Sequence, residues 1–244
     1  MKAVKEIIKQ GLEQDLFTGS SILVADTSSV IYEEVFGYTN KENSESVTQS
    51  HWFDLASLTK SLMTATVLCR LIAKNRISLE NKIVRHIPEF GSDDNLKNDL
   101  SVQQLLRHSS GLPGYVAYYE KILSSLSSMP NVTPDKYPAL AKNSLKQWIL
   151  QEPLEYIPDS KAVYSDLGFM ILGWIIEKIT GKNLDKIYHF EVLRHLPSAE
   201  LGLFNVSQKR QTKRPSFVST SYCDWRKTEL CGEVHDDHSY LLGG

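Results

Sequence analysis

Between Ser61 and Ala73 the chain is apolar almost all round, with Leu62, Met63, Val67, Leu68, Leu71 and Ile72 falling on several faces of a helix. Such a helix has no solvated face to offer, so it belongs at a domain centre and the rest of the chain must pack around it. The stretch that contains it, FDLASLTKSLMTATVLCRLI from Phe53 to Ile72, holds Ser57 and Lys60 three residues apart. On an α-helix that pair projects only about 60° apart. A serine hydroxyl becomes a nucleophile when a base takes its proton. A lysine in low dielectric can be that base, because burial disfavours its charge. The amino end of a helix adds free N–H groups and the positive end of the dipole, which favour an alkoxide or oxyanion. The plain reading is a capping serine beside a surface lysine, and Ser57 is compatible with both.

The 244 residues suffice for a sizeable core, in one large domain or two small ones. Lys plus Arg (27) nearly balances Asp plus Glu (29), and no block of like charge occurs. That leaves no electrostatic footprint for nucleic acid or an anionic membrane. The three cysteines, Cys69, Cys223 and Cys231, are scattered and form no CxxC pair, which argues against a disulfide framework or a zinc ribbon. Cys69, in the apolar helix, is expected in the core. The opening MKAVKEIIKQGLEQD carries charge through any would-be signal core, and no run approaches the roughly 18 apolar residues of a membrane span. The expectation is a cytoplasmic monomer with no membrane span.

Val4, Ile7, Ile8 and Leu12 stand at helical spacing among charged residues, predicting an amphipathic helix with Gly19 as its stop. Ser21 to Ala25 and Val30 to Tyr38 are β-rich and joined by Asp26 to Ser29, which predicts an antiparallel hairpin at a sheet edge. A loop, Thr39 to Ser50, leads towards Ser57. Leu100 to Tyr115 begins as a short helix capped by Ser101 and ends in a glycine and proline turn. Its His108 could serve as a base, but no GxSxG elbow exists, so a structural, hydrogen-bonded histidine is expected. Serine- and proline-rich Glu120 to Asn143 reads as a polar connection able to line a cleft.

Leu167, Met170, Ile171, Trp174, Ile175 and Ile179 predict a second core helix that stops at Gly181. Tyr164 lies just ahead of it, where a phenol can relay a proton, and Asp166 follows as a binder of a donor or a cap. The Tyr-x-Asn/Asp spacing also occurs at Tyr38-Thr39-Asn40 and Tyr222-Cys223-Asp224, so spacing does not choose. Lys209 to Arg214 reads as a solvated basic loop. His235, Asp236, Asp237 and His238 lack a helical HExxH pattern or spaced cysteine partners, so a hydrogen-bonded loop is expected there and no metal.

Together these pieces resemble one family. FDLASLTKSLMTATVL resembles the nucleophile segment of the serine β-lactamase-like proteins, which include class C β-lactamases, D-alanyl-D-alanine carboxypeptidases and related esterases. LLRHSSGLPGY resembles the segment that follows, VYSDLGFMILGWIIEKITGK the tyrosine motif and its helix, and SYCDWRKTELCGEVHDDHSYLLGG a later segment of one branch. The order matches, from about Gly19 to the end. The resemblance implies an α+β fold, an antiparallel sheet flanked by helices plus a helical region. It implies one incomplete domain over 1–244, with the N-terminal helix and hairpin in 1–56, a mainly helical region carrying the first two motifs in 57–200, and a loop-rich segment in 201–244 leading to absent strands.

It also implies Ser57 as acylated nucleophile, Lys60 as its proton acceptor and Tyr164 as the proton shuttle, with the Ser57 N–H as one oxyanion donor. The substrate would be a β-lactam, a D-alanyl peptide or a small ester, and the chemistry needs no cofactor or metal. Two departures stand out. Asp166 occupies the place of the family's asparagine, so a carboxylate that only accepts replaces an amide that also donates. The family's third motif, which supplies the other oxyanion N–H, does not follow Tyr164 in these residues. The expectation is a chain cut short of its last strands, leaving the hairpin an exposed edge. Losing one oxyanion donor costs roughly 100- to 1,000-fold in rate, so weak turnover is expected of these residues alone. A crippled member acting as a binding or scaffold protein is the alternative.

Overall fold

The structure, a computed structural model, describes residues 2–42, 45–93, 95–127, 133, 136–196, 201–202 and 216–243. The basic stretch Lys209 to Arg214 lies outside them. The chain divides into two compact units, one of Met1–Ala56 with Gln208–Tyr240 and Gly244, the other of Ser57–Ser207 with Leu241–Gly243.

The first unit opens with helix α1, Lys2–Glu13, whose Val4, Ile8 and Leu12 are half-buried while Ile7 stays exposed. The helix ends before Asp15, which is left-handed (φ 53°). Gly19 therefore does not stop it. Gly19 instead opens strand β1, Gly19–Ala25, which pairs antiparallel with β2, Val30–Gly37, in the register Gly19↔Gly37 and Ser21↔Val35. Asp26 closes the turn by accepting from the Ser28 and Ser29 N–H groups, both at 2.8 Å, a side chain imitating a backbone turn. Among the described residues neither strand has a further neighbour, and Leu23, Val30 and Ile31 are exposed. Near Trp52 the later part of the chain returns: Trp52 N–H donates to Ser216 O and Val218 N–H to Trp52 O, each at 2.9 Å. The short strands β3, Tyr222–Cys223, and β4, Thr228–Glu229, form a second antiparallel pair.

The second unit is helical. A π-helical turn, Lys60–Ala65, runs into α2, Thr66–Ala73. Short helices α3, Ile83–His86, and α4, Asn95–Asn98, precede α5, Val102–Leu106. Then come α6, Tyr118–Leu126, α7, Tyr137–Gln151, α8, Asp166–Thr180, and α9, Leu184–Glu191. Helix α10, Asp237–Leu242, begins in the first unit and has only Leu241 and Leu242 in the second. α8 is the core: Leu167, Ile171, Leu172, Ile175 and Ile176 are fully buried, and Gly181 ends it in the left-handed conformation that costs glycine least. The Ser101–Gln104 capping box starts α5 as its sequence predicts.

Three expectations fail on packing. Met63, Val67, Leu68 and Leu71 are buried, but Leu62 is 44% exposed and Cys69 is exposed, so the α2 run has two faces and Cys69 is not core. The inward face is fixed to α9, where Thr64 Oγ1 meets Tyr188 OH at 2.8 Å and Glu191 takes Arg70 (2.7 Å) and Lys74 (2.8 Å). Glu120 to Asn143 is no mere connection. Tyr118, Ile122 and Leu126 of α6 are buried at a spacing of four, and α7 buries Ala141, Leu145 and Ile149. Exposed Ser124 and Ser125 hid the α6 periodicity, because exposed helical positions accept serine at little cost.

Candidate active site

Ser57 does not ride on a helix. It lies in the turn before one, follows Ala56 at φ 44°, and receives the Lys60 N–H on its carbonyl at 3.0 Å. A left-handed alanine costs roughly 1–2 kcal/mol, so the backbone entering the serine is strained. The wide turn that follows is matched by Thr66 Oγ1, which donates to Ser61 O five residues back at 3.0 Å. Isolated π turns gather at functional sites because they re-aim the side chains around them.

The consequence is local convergence. The Lys60 ammonium donates to Ser57 Oγ at 3.0 Å and to Asp166 Oδ1 at 2.7 Å. Its nitrogen also stands 4.9 Å from the Tyr164 ring centre and 6.0 Å from that of Phe169. The Lys60 and Asp166 side chains are 18% and 22% exposed, whereas Ser57 is open to solvent and Tyr164 is 54% exposed. A covered charge pair thus lies beneath an accessible hydroxyl and phenol. Burial works to lower the Lys60 pKa, but the Asp166 carboxylate and the Tyr164 phenol outweigh it and hold the ammonium above the ordinary lysine value.

Tyr164 and Asp166 are held by the segment HSSGLPG. Val163 N–H donates to His108 O (2.8 Å), Asp166 N–H to Gly114 O (3.0 Å), and Ser165 Oγ to Pro113 O (2.7 Å). Ser165, not Asp166, caps α8, accepting from Gly168 N–H at 3.2 Å. A Cβ on Gly114 would come within 2.8 Å of Tyr164 O, so this close approach needs a glycine. His108 Nδ1 accepts the Ser165 N–H at 3.0 Å, which fixes the neutral tautomer with its proton on Nε2. The ring stacks on Phe169 at 5.0 Å and tilts against Tyr164 at 4.6 Å. Burial, and then the nearby Lys60 charge, depress its pKa. His108 is accordingly a hydrogen-bonded wedge under Tyr164, the structural histidine expected where no GxSxG elbow exists.

All four sequence-predicted site residues, Ser57, Lys60, Tyr164 and Asp166, lie together in the second unit. Sequence reading missed Phe169, whose ring lies under both Lys60 and His108, and the cap Ser165. The Ser-x-x-Gly spacing ahead of the apolar run signals the cap, while nothing local signals the role of Phe169. The His235 to His238 cluster is occupied by the fold. Asp236 accepts the Ser239 N–H at 2.7 Å, and Asp237 Oδ1 takes Trp225 Nε1 at 2.9 Å and Arg226 at 2.8 Å. Among the described residues no three His, Cys, Asp or Glu side chains converge as metal ligands, and no helix is long and apolar enough to cross a membrane.

Residues 4–229 match the family model described as Beta-lactamase. An N-acetylmuramyl-L-alanine amidase of Bacillus subtilis (strain 168) is 30% identical over 96% of this chain and 56% of its own length. A putative D-alanyl-D-alanine carboxypeptidase of Escherichia coli (strain K12) is 28% identical over 92% of this chain and 54% of its own. The chain spans about half the length of the curated relatives it matches. The octameric penicillin-binding protein homologue from Pyrococcus abyssi superposes with a TM-score of 0.68 at 21% identity, covering 94% of this chain and 50% of that one. The fold is thus of the β-lactamase/transpeptidase type expected from sequence.

Proposed function

The chain belongs to the beta-lactamase family, and from that premise we propose that it is the part of a serine hydrolase that carries the nucleophile and the proton relay. The observation that supports this most is the Lys60 amine bridging Ser57 Oγ at 3.0 Å and Asp166 at 2.7 Å. In this reading Ser57 Oγ attacks a carbonyl carbon as its proton passes to neutral Lys60, and the backbone N–H of Ser57 donates to the oxyanion. The tetrahedral adduct then collapses, the bond to the leaving nitrogen or oxygen breaks, and Tyr164 delivers the proton that atom needs, replaced from Lys60. Water attacks the resulting ester by the reverse route and frees Ser57.

The relatives' names favour an amide of the cell-wall type, a D-alanyl or muramyl peptide, over a simple ester. Asp166 bears on this choice. With asparagine at that position a substrate amide meets both a donor and an acceptor, whereas a carboxylate offers acceptors only, so groups bearing N–H are preferred and anionic ones repelled. The same ion pair supports a second reading, a member that acylates slowly and serves mainly to bind, because a lysine held protonated is a poor base.

Fluorescent penicillin or a fluorophosphonate, added to the whole protein, is expected to label Ser57 covalently, with Ser57→Ala losing the label in gel and peptide mass analysis. Equal labelling of the variant removes the assignment. Label that forms and persists without turnover of a D-alanyl peptide selects the binding reading.

A further inference from the structure

The segment GEVHDDHS takes no part in the reaction proposed above, yet it is among the more tightly bonded pieces of the first unit. Arg226, 7% exposed, donates to Val234 O at 2.7 Å, His235 O at 3.1 Å and Asp237 Oδ1 at 2.8 Å. Its guanidinium lies 4.2 Å from the Tyr240 ring centre and 4.9 Å from that of Trp225, whose indole N–H also binds Asp237. The backbone at 234–237 is thereby fixed by charge, stacking and hydrogen bonds at once. One donor of that fixed segment reaches towards the nucleophile's own stretch: His235 N–H donates to Asp54 Oδ2 at 2.9 Å. The other oxygen of the same carboxylate, Oδ1, accepts the Ala56 N–H at 2.8 Å.

We propose that Asp54 is a positioning residue for Ser57, transmitting the rigidity of the 234–237 segment to the left-handed turn that delivers the nucleophile. The inference rests on Ser57 being that nucleophile. Ala56 at φ 44° holds a conformation that an L-residue leaves unless something outside the turn opposes it. A carboxylate divided between two N–H groups supplies that opposition, because charged acceptors form the stronger hydrogen bonds and each oxygen here has its own donor. The Ala56 N–H belongs to the Leu55–Ala56 peptide, so releasing it frees rotation about φ of Ala56, and with that rotation swings the following Ala56–Ser57 peptide that carries the Ser57 N–H. Asp54 touches neither substrate nor the reacting atoms, so its effect reads out in acylation rate rather than in substrate affinity.

The test uses Asp54→Ala, Asp54→Asn and the double variant Asp54→Ala/Ala56→Gly in the whole protein. Two independent readouts are taken: amide hydrogen exchange of peptides covering Phe53–Leu58 and Glu233–Asp237, and the Ser57-dependent labelling rate with a fluorophosphonate. Asp54→Ala is expected to speed exchange in both peptides together and to slow labelling by at least tenfold with reagent affinity unchanged. Asp54→Asn, which keeps one acceptor oxygen, is expected to fall between. The double variant should recover labelling rate without recovering exchange protection at Glu233–Asp237, since glycine accepts the positive φ without the carboxylate. Unchanged exchange in Asp54→Ala, or wild-type labelling rate in that variant, overturns the inference. Labelling that survives Ser57→Ala overturns the assignment of the nucleophile instead, while the exchange arm still decides whether Asp54 holds the turn.

Discussion

The two short segments that meet at Lys60 are built on opposite plans. The segment of the proposed nucleophile enters through a left-handed alanine and leaves through a π turn, and its serine is exposed. The tyrosine segment follows a regular Ser165 cap into α8 and is bonded to His108, Pro113 and Gly114 along its length. One segment stores strain and the other is over-determined. A hydroxyl that must reach a carbonyl gains from being held in a direction it would not choose, whereas a proton relay needs fixed distances, which rigid bonding provides. Lys60 belongs to the first segment by sequence and to the second by its ion pair with Asp166, so it is where the contrast is most easily broken.

Lys60→Met should have the largest effect. It removes the proposed base and leaves Asp166 without its cation, and acylation measured with a fluorophosphonate should fall by roughly 100- to 10,000-fold. A loss below tenfold would mean that Ser57 is activated from elsewhere and that the two segments need not cooperate.

Asp166→Asn should have an intermediate effect, with a sign opposite to that of most site substitutions. Lys60 is held protonated above the ordinary lysine value, so its base form grows only as pH rises and the acid limb of kcat/KM lies on the alkaline side. Replacing the carboxylate by an amide removes the main influence that raises this pKa. The limb should move to lower pH and activity near neutrality should rise severalfold. A pH profile that does not move would show that Tyr164 rather than Lys60 takes the first proton. The stability linkage has the matching sign. A lysine whose folded pKa is raised stabilises the fold fully below its unfolded value, and that contribution is lost as pH rises through the folded one.

The smallest effect is expected from Ser165→Ala in the rigid segment. It removes the α8 cap and the bond to Pro113 O, and should cost about 1–2 kcal/mol in a denaturant melt, with labelling rate altered much less. If labelling falls as steeply as it does for Lys60→Met, the tyrosine segment is not over-determined and the contrast between the two is lost.

Much of the fold is legible in the sequence, for a physical reason. Helical periodicity of apolar residues places α8 and its stop at Gly181, and Asp26 and Ser101 use side chains that cap or turn their own backbone. The candidate site residues are legible through the family resemblance of the segments that hold them, since the Ser-x-x-Lys and Tyr-x-Asp spacings alone do not choose them. What escaped reading depends on which face finds a partner. Cys69 is as apolar in pattern as Leu68, but Leu68 is buried while Cys69 is exposed. The α6 helix was hidden by Ser124 and Ser125, which face outward.

Local propensity and apolar periodicity were enough to set the β1–β2 hairpin, the Ser101 cap of α5 and the run of α8 to Gly181, because each depends on residues adjacent in the chain. Folding alone settled that Lys60 is held charged between Ser57 and Asp166, that His108 is a neutral wedge, and that Asp54 bonds both the Ala56 N–H and, 181 positions along the chain from itself, that of His235. Charge state, tautomer and backbone strain are set by what stands a few ångströms away, and a sequence fixes such neighbours only once it has folded.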